Sequence, residues 1–257
     1  VSRPDDVATL AQRVVEELAL PFVVSGQRVS CGASIGAARF GADATTVQDL
    51  LRKADVALYR AKADGRGRFS FYDRALDEAL AARRDLAHDL RHAVADGALH
   101  LHYQPLFAAD GQRMVGYEAL MRWQHPKRGA VPPVEFIPLA EATGQIQQLG
   151  QWALERACAD AATWSDELSV AVNLSAAQFR EDADLVSVVA RALDAAGLPA
   201  SRLELEITES LLMSNTTQVV ETLHRLLKMG VRVAMDDFGT GYSSLAYLWR
   251  FPFNKIK

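Results

Sequence analysis

Cysteine is nearly missing from this sequence. Only Cys31 and Cys158 occur, with neither the spacing of a zinc site nor the count of a disulfide framework, which points to a reducing compartment, the cytoplasm. No apolar run reaches the roughly 18 to 20 residues that a bilayer crossing needs, and no charged stretch followed by an apolar one opens the chain, so no membrane segment is expected here. Positive charge is not in excess either. Lys and Arg total 28 against 32 Asp and Glu, a net charge of −4, which excludes the basic field that gathers a long nucleic acid. A small phosphate ligand stays compatible, because acidic groups can hold it through a divalent cation. An initiator Met is absent as well: the chain opens into Pro4-Asp5-Asp6 and stops at Asn254-Lys255-Ile256-Lys257 within a strand-like alternation, so both ends are expected to be cuts inside domains.

What is present is ample apolar material, 49% of 257 residues, enough for one large core or two modest ones. Val7, Leu10, Val14 and Leu18 repeat at helical spacing behind Pro4 and two Asp, where the helix dipole favours acids. Val29 to Ala38 alternates like a strand, a second helix is expected from about Val47 to Ala63, and Gly65-Arg66-Gly67 breaks it before a short strand from Arg68 to Tyr72. This order reads as half of an α+β domain over residues 1–73. From Arg74 to Ala95 a charged helix with an irregular Leu stripe reads as a connector, 74–95.

Strands and helices then alternate. Strands are expected near Leu99–Gln104, Arg113–Leu120, Ser169–Asn173, Arg202–Ile207, Arg232–Met235 and Phe253–Lys257. Helices are expected near Pro133–Glu141, Gln147–Trp164, Ala183–Ala196 and Thr216–Met229. Repeated units of this length favour a parallel sheet, closed as a (β/α)8 barrel.

Carboxylates and amides fall at the strand ends: Glu118 in one, Asn173 in another, Glu206 and Glu209 in a third, Asp236 and Asp237 in a fourth. In a barrel those ends share one face, where active sites of that fold are built. Oxygen donors without His or Cys suit Mg²⁺ or Mn²⁺, and two cations would relieve the repulsion of the adjacent aspartates. Plainer readings stand beside this one. Glu118 could be a helix cap or a solvated loop charge, Asn173 could cap the helix after Ser175, and Lys257 could be an ordinary strand-end lysine.

The runs Tyr103-Gln104-Pro105, Glu118-Ala119-Leu120-Met121-Arg122-Trp123, Asn173-Leu174-Ser175, Glu206-Ile207-Thr208-Glu209 and Asp236-Asp237-Phe238-Gly239-Thr240-Gly241-Tyr242-Ser243-Ser244-Leu245 resemble the ordered motifs of EAL-domain phosphodiesterases. The resemblance covers residues 85–257 and implies a TIM-like barrel, incomplete in this stretch, that hydrolyses cyclic di-GMP to pGpG. It implies that Glu118, Asn173, Glu206 and Asp236 hold one metal, that Asp236 and Asp237 serve a second, and that Lys257 steadies the attacking water. Gln104 and Arg122 would face substrate, and Glu209 would pin the loop from Phe238 to Leu245, which also shapes a homodimer contact. A further Glu ligand and a Gln are expected beyond Lys257, so the stretch alone is expected to be inactive. The other reading is a degenerate domain that only senses cyclic di-GMP.

Residues 1–73 resemble the C-terminal half of a GGDEF diguanylate cyclase domain, with a ferredoxin-like, cyclase-palm fold, through Ala33-Ser34-Ile35-Gly36 and Ala54-Asp55-Val56-Ala57-Leu58-Tyr59-Arg60-Ala61-Lys62. Lys62 and Arg66 would meet GTP phosphates in that family; without it they read as a solvated helix end. The signature motif is not in the sequence, so cyclase activity is not expected of this stretch.

Overall fold

The computed structural model describes residues 4–180, 184–208, 211, 216–236, 253 and 255–256. Asp237, Glu209, Lys257 and the run from Phe238 to Leu245 lie outside them. The chain divides into two compact units, Val1–Asp85 and Leu86–Lys257.

The first unit contains α1 (Pro4–Ala19), strands β1 (Phe22–Val24), β2 (Gln27–Val29), β3 (Ile35–Ala37) and β4 (Phe69–Phe71), and α2 (Val47–Ala63). One strand was expected from Val29 to Ala38, and the structure corrects this. β2 ends at Val29 as the return arm of a hairpin with β1, because Ser25 and Gly26 take φ 51° and 82° and reverse the chain between them. β3 pairs in parallel with β4, and α2 lies directly on β3. A Cβ at Gly36 would sit 2.0 Å from Ala54 O, so only glycine admits the helix that closely. Thr46 starts α2 by accepting from the Asp49 amide at 3.2 Å.

The division between the units falls within α3 (Arg74–Leu90). The connector was expected to stay helical to Ala95. It instead tightens after Leu90 into three-residue turns, Arg91 N–H to His88 O and His92 N–H to Asp89 O, and ends at Gly97 with φ 65°.

The second unit is built on a sheet in the order β11-β10-β9-β8-β6-β5, with β7 also on β6. Its strands are β5 (Leu99–Phe107), β6 (Met114–His125), β7 (Gly129–Val131), β8 (Ser169–Leu174), β9 (Leu203–Thr208), β10 (Arg232–Asp236) and β11 (Lys255–Ile256). β5 and β7 run antiparallel to β6, and the other pairings are parallel. The helices are α4 (Pro133–Thr143), α5 (Ile146–Ala162), α6 (Leu185–Ala196) and α7 (Thr216–Lys228).

Alternation decides the two faces of this sheet. Val170, Val172 and Leu174, then Leu203, Leu205 and Ile207, then Val233 and Met235 all join one core with Leu154, Ala157 and Cys158 of α5 and Val219, Leu223 and Leu226 of α7. The intervening residues therefore share the other face. This is the α/β architecture of an incomplete TIM-like barrel, with helices outside and polar residues within.

A second core gathers Leu86 and Leu90 of α3 with Trp123, Phe136, Leu139, Ile146 and Leu149. His125 is buried beside it: its Nδ1 accepts from the amides of Lys127 and Arg128, so the ring proton sits on Nε2 and is donated to Asp89 at 2.9 Å.

Candidate active site

Glu118 was expected at the end of a strand, and the structure places it in the middle of β6. The strand runs on because Trp123 still pairs with Leu99 on one side and Val131 on the other. Only the parallel ladder to β8 stops there, at Ala119 opposite Val172. The mouth of the parallel sheet is therefore at Glu118 although the strand is not.

Register lays out the inner face as a grid. One row runs Gln104, Glu118, Ala171, Glu204, Arg232; the next runs Asn173, Glu206, Ala234, Lys255; the third holds Thr208 and Asp236. Glu118 in the first row, Asn173 and Glu206 in the second and Asp236 in the third thus climb the face as the strands succeed one another. Strands that tilt around a barrel require this climb of residues meant to stay at one level.

Asn173 Nδ2 donates to Glu118 Oε1 at 2.8 Å, across β6 and β8. The cap of the following 3₁₀ turn (Ala176–Phe179) is Ser175: its Oγ accepts from the Ala177 amide at 3.1 Å, while its own amide donates to Gln178 Oε1 at 2.9 Å. The capping alternative for Asn173 is thereby removed. With its nitrogen on Glu118, its carbonyl oxygen is the end left for a cation. Glu206 is 1% exposed, an environment that a carboxylate tolerates only with compensating charge or hydrogen bonds.

No group of three or more His, Cys, Asp or Glu among the described residues forms a metal cage by itself. One donor of the set is an amide, and Asp237 is not described. The donors present are all oxygens on four neighbouring strands, which fits a hard divalent cation.

Beside Asn173 opens a cavity of about 600 Å³ lined by Arg122, Ile137, Glu141, Ser175 and Thr208 among others. Arg122 lies on the face of Glu118 and donates to Met121 O at 2.9 Å. Glu141 Oε1 accepts from Ser175 Oγ at 2.6 Å, tying α4 to the end of β8. The sequence offered no signal for Glu141 beyond its place on a helix, whereas Ser175-x-x-Gln178 was readable as a capping box. Gln104 is exposed on β5 directly across from Glu118.

In the first unit Lys62 is exposed in the last turn of α2 and Arg66 lies beyond its end, at φ 58°, with its amide on Ala61 O. Neither is among the described residues lining that unit's charged cavity of about 910 Å³. Several cations there are already met, Arg39 by Asp43, Arg52 by Asp77 and Arg60 by Asp64 and Asp73.

Comparison with known proteins bears on both units. The model of the EAL domain matches residues 87–257, and that of the diguanylate cyclase, GGDEF domain, matches residues 1–68. An uncharacterized signaling protein of Caulobacter vibrioides is 50% identical over 99% of this chain and 31% of its own length. The bifunctional diguanylate cyclase/cyclic di-GMP phosphodiesterase MucR of Pseudomonas aeruginosa is 43% identical over 99% of this chain and 38% of its own. The chain spans about a third of the length of such relatives. Among solved structures, the MucR phosphodiesterase in complex with c-di-GMP superposes with a TM-score of 0.64 at 46% identity, over 67% of this chain and 71% of that one. The EAL enzyme Bd1971, bound to cAMP and cyclic di-GMP, gives 0.65 at 27% identity, over 84% of this chain and 57% of that one. Among the described residues, no helix is long and apolar enough to cross a membrane.

Proposed function

Since the chain belongs to the EAL domain family and carries a GGDEF match ahead of that domain, we propose that it is part of a tandem signalling protein whose larger unit hydrolyses one phosphodiester of cyclic di-GMP to linear pGpG with two Mg²⁺ or Mn²⁺ ions. The observation that carries this is the oxygen set Glu118, Asn173, Glu206 and Asp236, climbing across four strands beside a cavity that contains Arg122. MucR, 43% identical, is named a bifunctional diguanylate cyclase/cyclic di-GMP phosphodiesterase.

In this reading Glu118, Asn173, Glu206 and Asp236 hold one cation, and Asp236 with Asp237 serves the second. Such ions supply positive charge to the transferring phosphoryl group and acidify a water. Arg122 meets a substrate phosphate with its guanidinium fork, and Gln104 lies across from Glu118 where it can hydrogen-bond the ligand. Lys257 orients the attacking water, and Glu209 pins the loop from Phe238 to Leu245. Residues 1–73 form part of the GGDEF domain, 74–95 the connector, helical as far as Leu90, and 85–257 the EAL domain, which pairs as a homodimer in the cytoplasm.

The test is turnover of cyclic di-GMP by the full-length protein in Mn²⁺, in Mg²⁺ and in excess chelator. Hydrolysis to pGpG is expected only with metal, and Glu206→Gln is expected to lower it at least about 100-fold. Tight binding without turnover would replace this reading with that of a receptor.

A further inference from the structure

One carboxylate on the inner face stands beside the cation ligands without belonging to them. Glu204 lies two residues before Glu206 on β9, on the same face and about 7 Å along the strand. It shares its row with Glu118, separated from it only by Ala171. It is buried, 6% exposed, so its charge is not dispersed by water. An anionic oxygen this close to a divalent cation site competes for the ion.

Its counter-charge comes from two strands away. Lys255 Nζ reaches Glu204 Oε1 at 3.1 Å, from β11 across β10. The crossing passes Ala234, which is paired with Glu206 on one side and Lys255 on the other and is wholly buried. A larger residue at Ala234 would fill the path of the lysine stem. Arg232 stands opposite Glu204 in register, yet its Nε is buried with no hydrogen-bond partner among the described residues. The ion pair on Glu204 is therefore made by Lys255.

We propose that Lys255 is a positioning residue that keeps Glu204 out of the cation site. With Oε1 on an ammonium, the charge of Glu204 is balanced and the carboxylate competes weakly for the ion, which stays at the level of Asn173, Glu206 and Asp236. Removing the lysine would free a carboxylate one step below and draw the ion toward it. This rests on the metal-dependent reading above, and it deepens that reading by naming what sets the depth of the ion.

The experiment is a calorimetric titration of the full-length protein with Mn²⁺, beside its turnover of cyclic di-GMP. It compares wild type with Lys255→Met, which keeps the stem, with Glu204→Gln, and with the pair. Lys255→Met is expected to bind Mn²⁺ about tenfold more tightly, or to take up one further ion, while turnover falls about tenfold. Tighter binding together with slower turnover separates this role from loss of folding, which would weaken both. The pair of substitutions is expected to return both quantities to those of Glu204→Gln alone. Unchanged Mn²⁺ uptake in Lys255→Met, as when Arg232 takes over the contact, overturns the proposal, and so does a change that persists beside Glu204→Gln. A wild-type protein that binds Mn²⁺ but leaves cyclic di-GMP intact refutes the phosphodiesterase reading alone, since the titration still decides the role of Lys255.

Discussion

The amide of Asn173 donates to Glu118, and a carboxylate in its place would face another at the same 2.8 Å. Asn173→Asp should therefore lower the melting temperature in chelator, where the two charges repel, and the deficit should shrink in Mn²⁺. Equal deficits in both conditions would mean that no cation enters between them. In the proposed function Arg122 binds a substrate phosphate rather than reacting, so Arg122→Ala should raise KM about tenfold or more and lower kcat less. A reversed split would move the arginine into the chemistry. The two cysteines offer a check on packing alone: burial pushes the Cys158 thiol up to about 12, whereas Cys31 is exposed. At pH 8 the native chain should take one alkylating label at Cys31, and labelling at Cys158 should require unfolding.

At the scale of elements, Arg202 shows how a helix end is closed without a glycine. It is buried and donates to Leu168 O at 2.8 Å, Ala161 O at 2.7 Å and Ser165 O at 3.1 Å, so one guanidinium satisfies the carbonyls at and after the end of α5. Arg202→Lys cannot reproduce that fork and should cost about 2–4 kcal/mol in urea unfolding. A smaller loss would mean that water can reach those carbonyls. Gly150 in the same helix lies against Gln178, whose Nε2 would be 2.2 Å from an added Cβ. That packing fixes the side chain which accepts from the Ser175 amide, two residues after Asn173. The helical and strand periods of these elements were legible in the sequence, and so was the order of the strands bearing Glu118, Asn173, Glu206 and Asp236. Where β6 would stop was not legible, because its length is decided by antiparallel partners on both sides. The contact of Lys255 with Glu204 was hidden for the same reason: register between strands distant in sequence brings them together.

For the molecule as a whole, acid stability follows from carboxylates held low by their partners. The Arg39 guanidinium bonds to Asp43, and the His125 ring donates to Asp89; each carboxyl titrates below its ordinary range. A carboxylate with a depressed folded pKa stabilises the fold above its unfolded value, about 3.9, and that contribution disappears as the pH falls through the folded value. The urea midpoint should therefore lose these contributions only below about pH 4. A decline that begins near neutrality would point instead to groups other than these acids. The fold class was readable from the alternation of strand and helix, but the hairpin near Ser25 and the end of the connector were not. The hairpin turns on two left-handed residues, Ser25 and Gly26, and the connector's end on one, Gly97, rather than on any period. The climb of the oxygen donors across four strands has one more consequence, in time rather than in space. No two of Glu118, Asn173, Glu206 and Asp236 share a strand, so none of them meets another until non-local pairings have formed, which are the slow events of folding. A divalent ion can then recognise only the assembled sheet. It should leave the refolding rate nearly untouched and slow unfolding, as a clasp fastened last and released first.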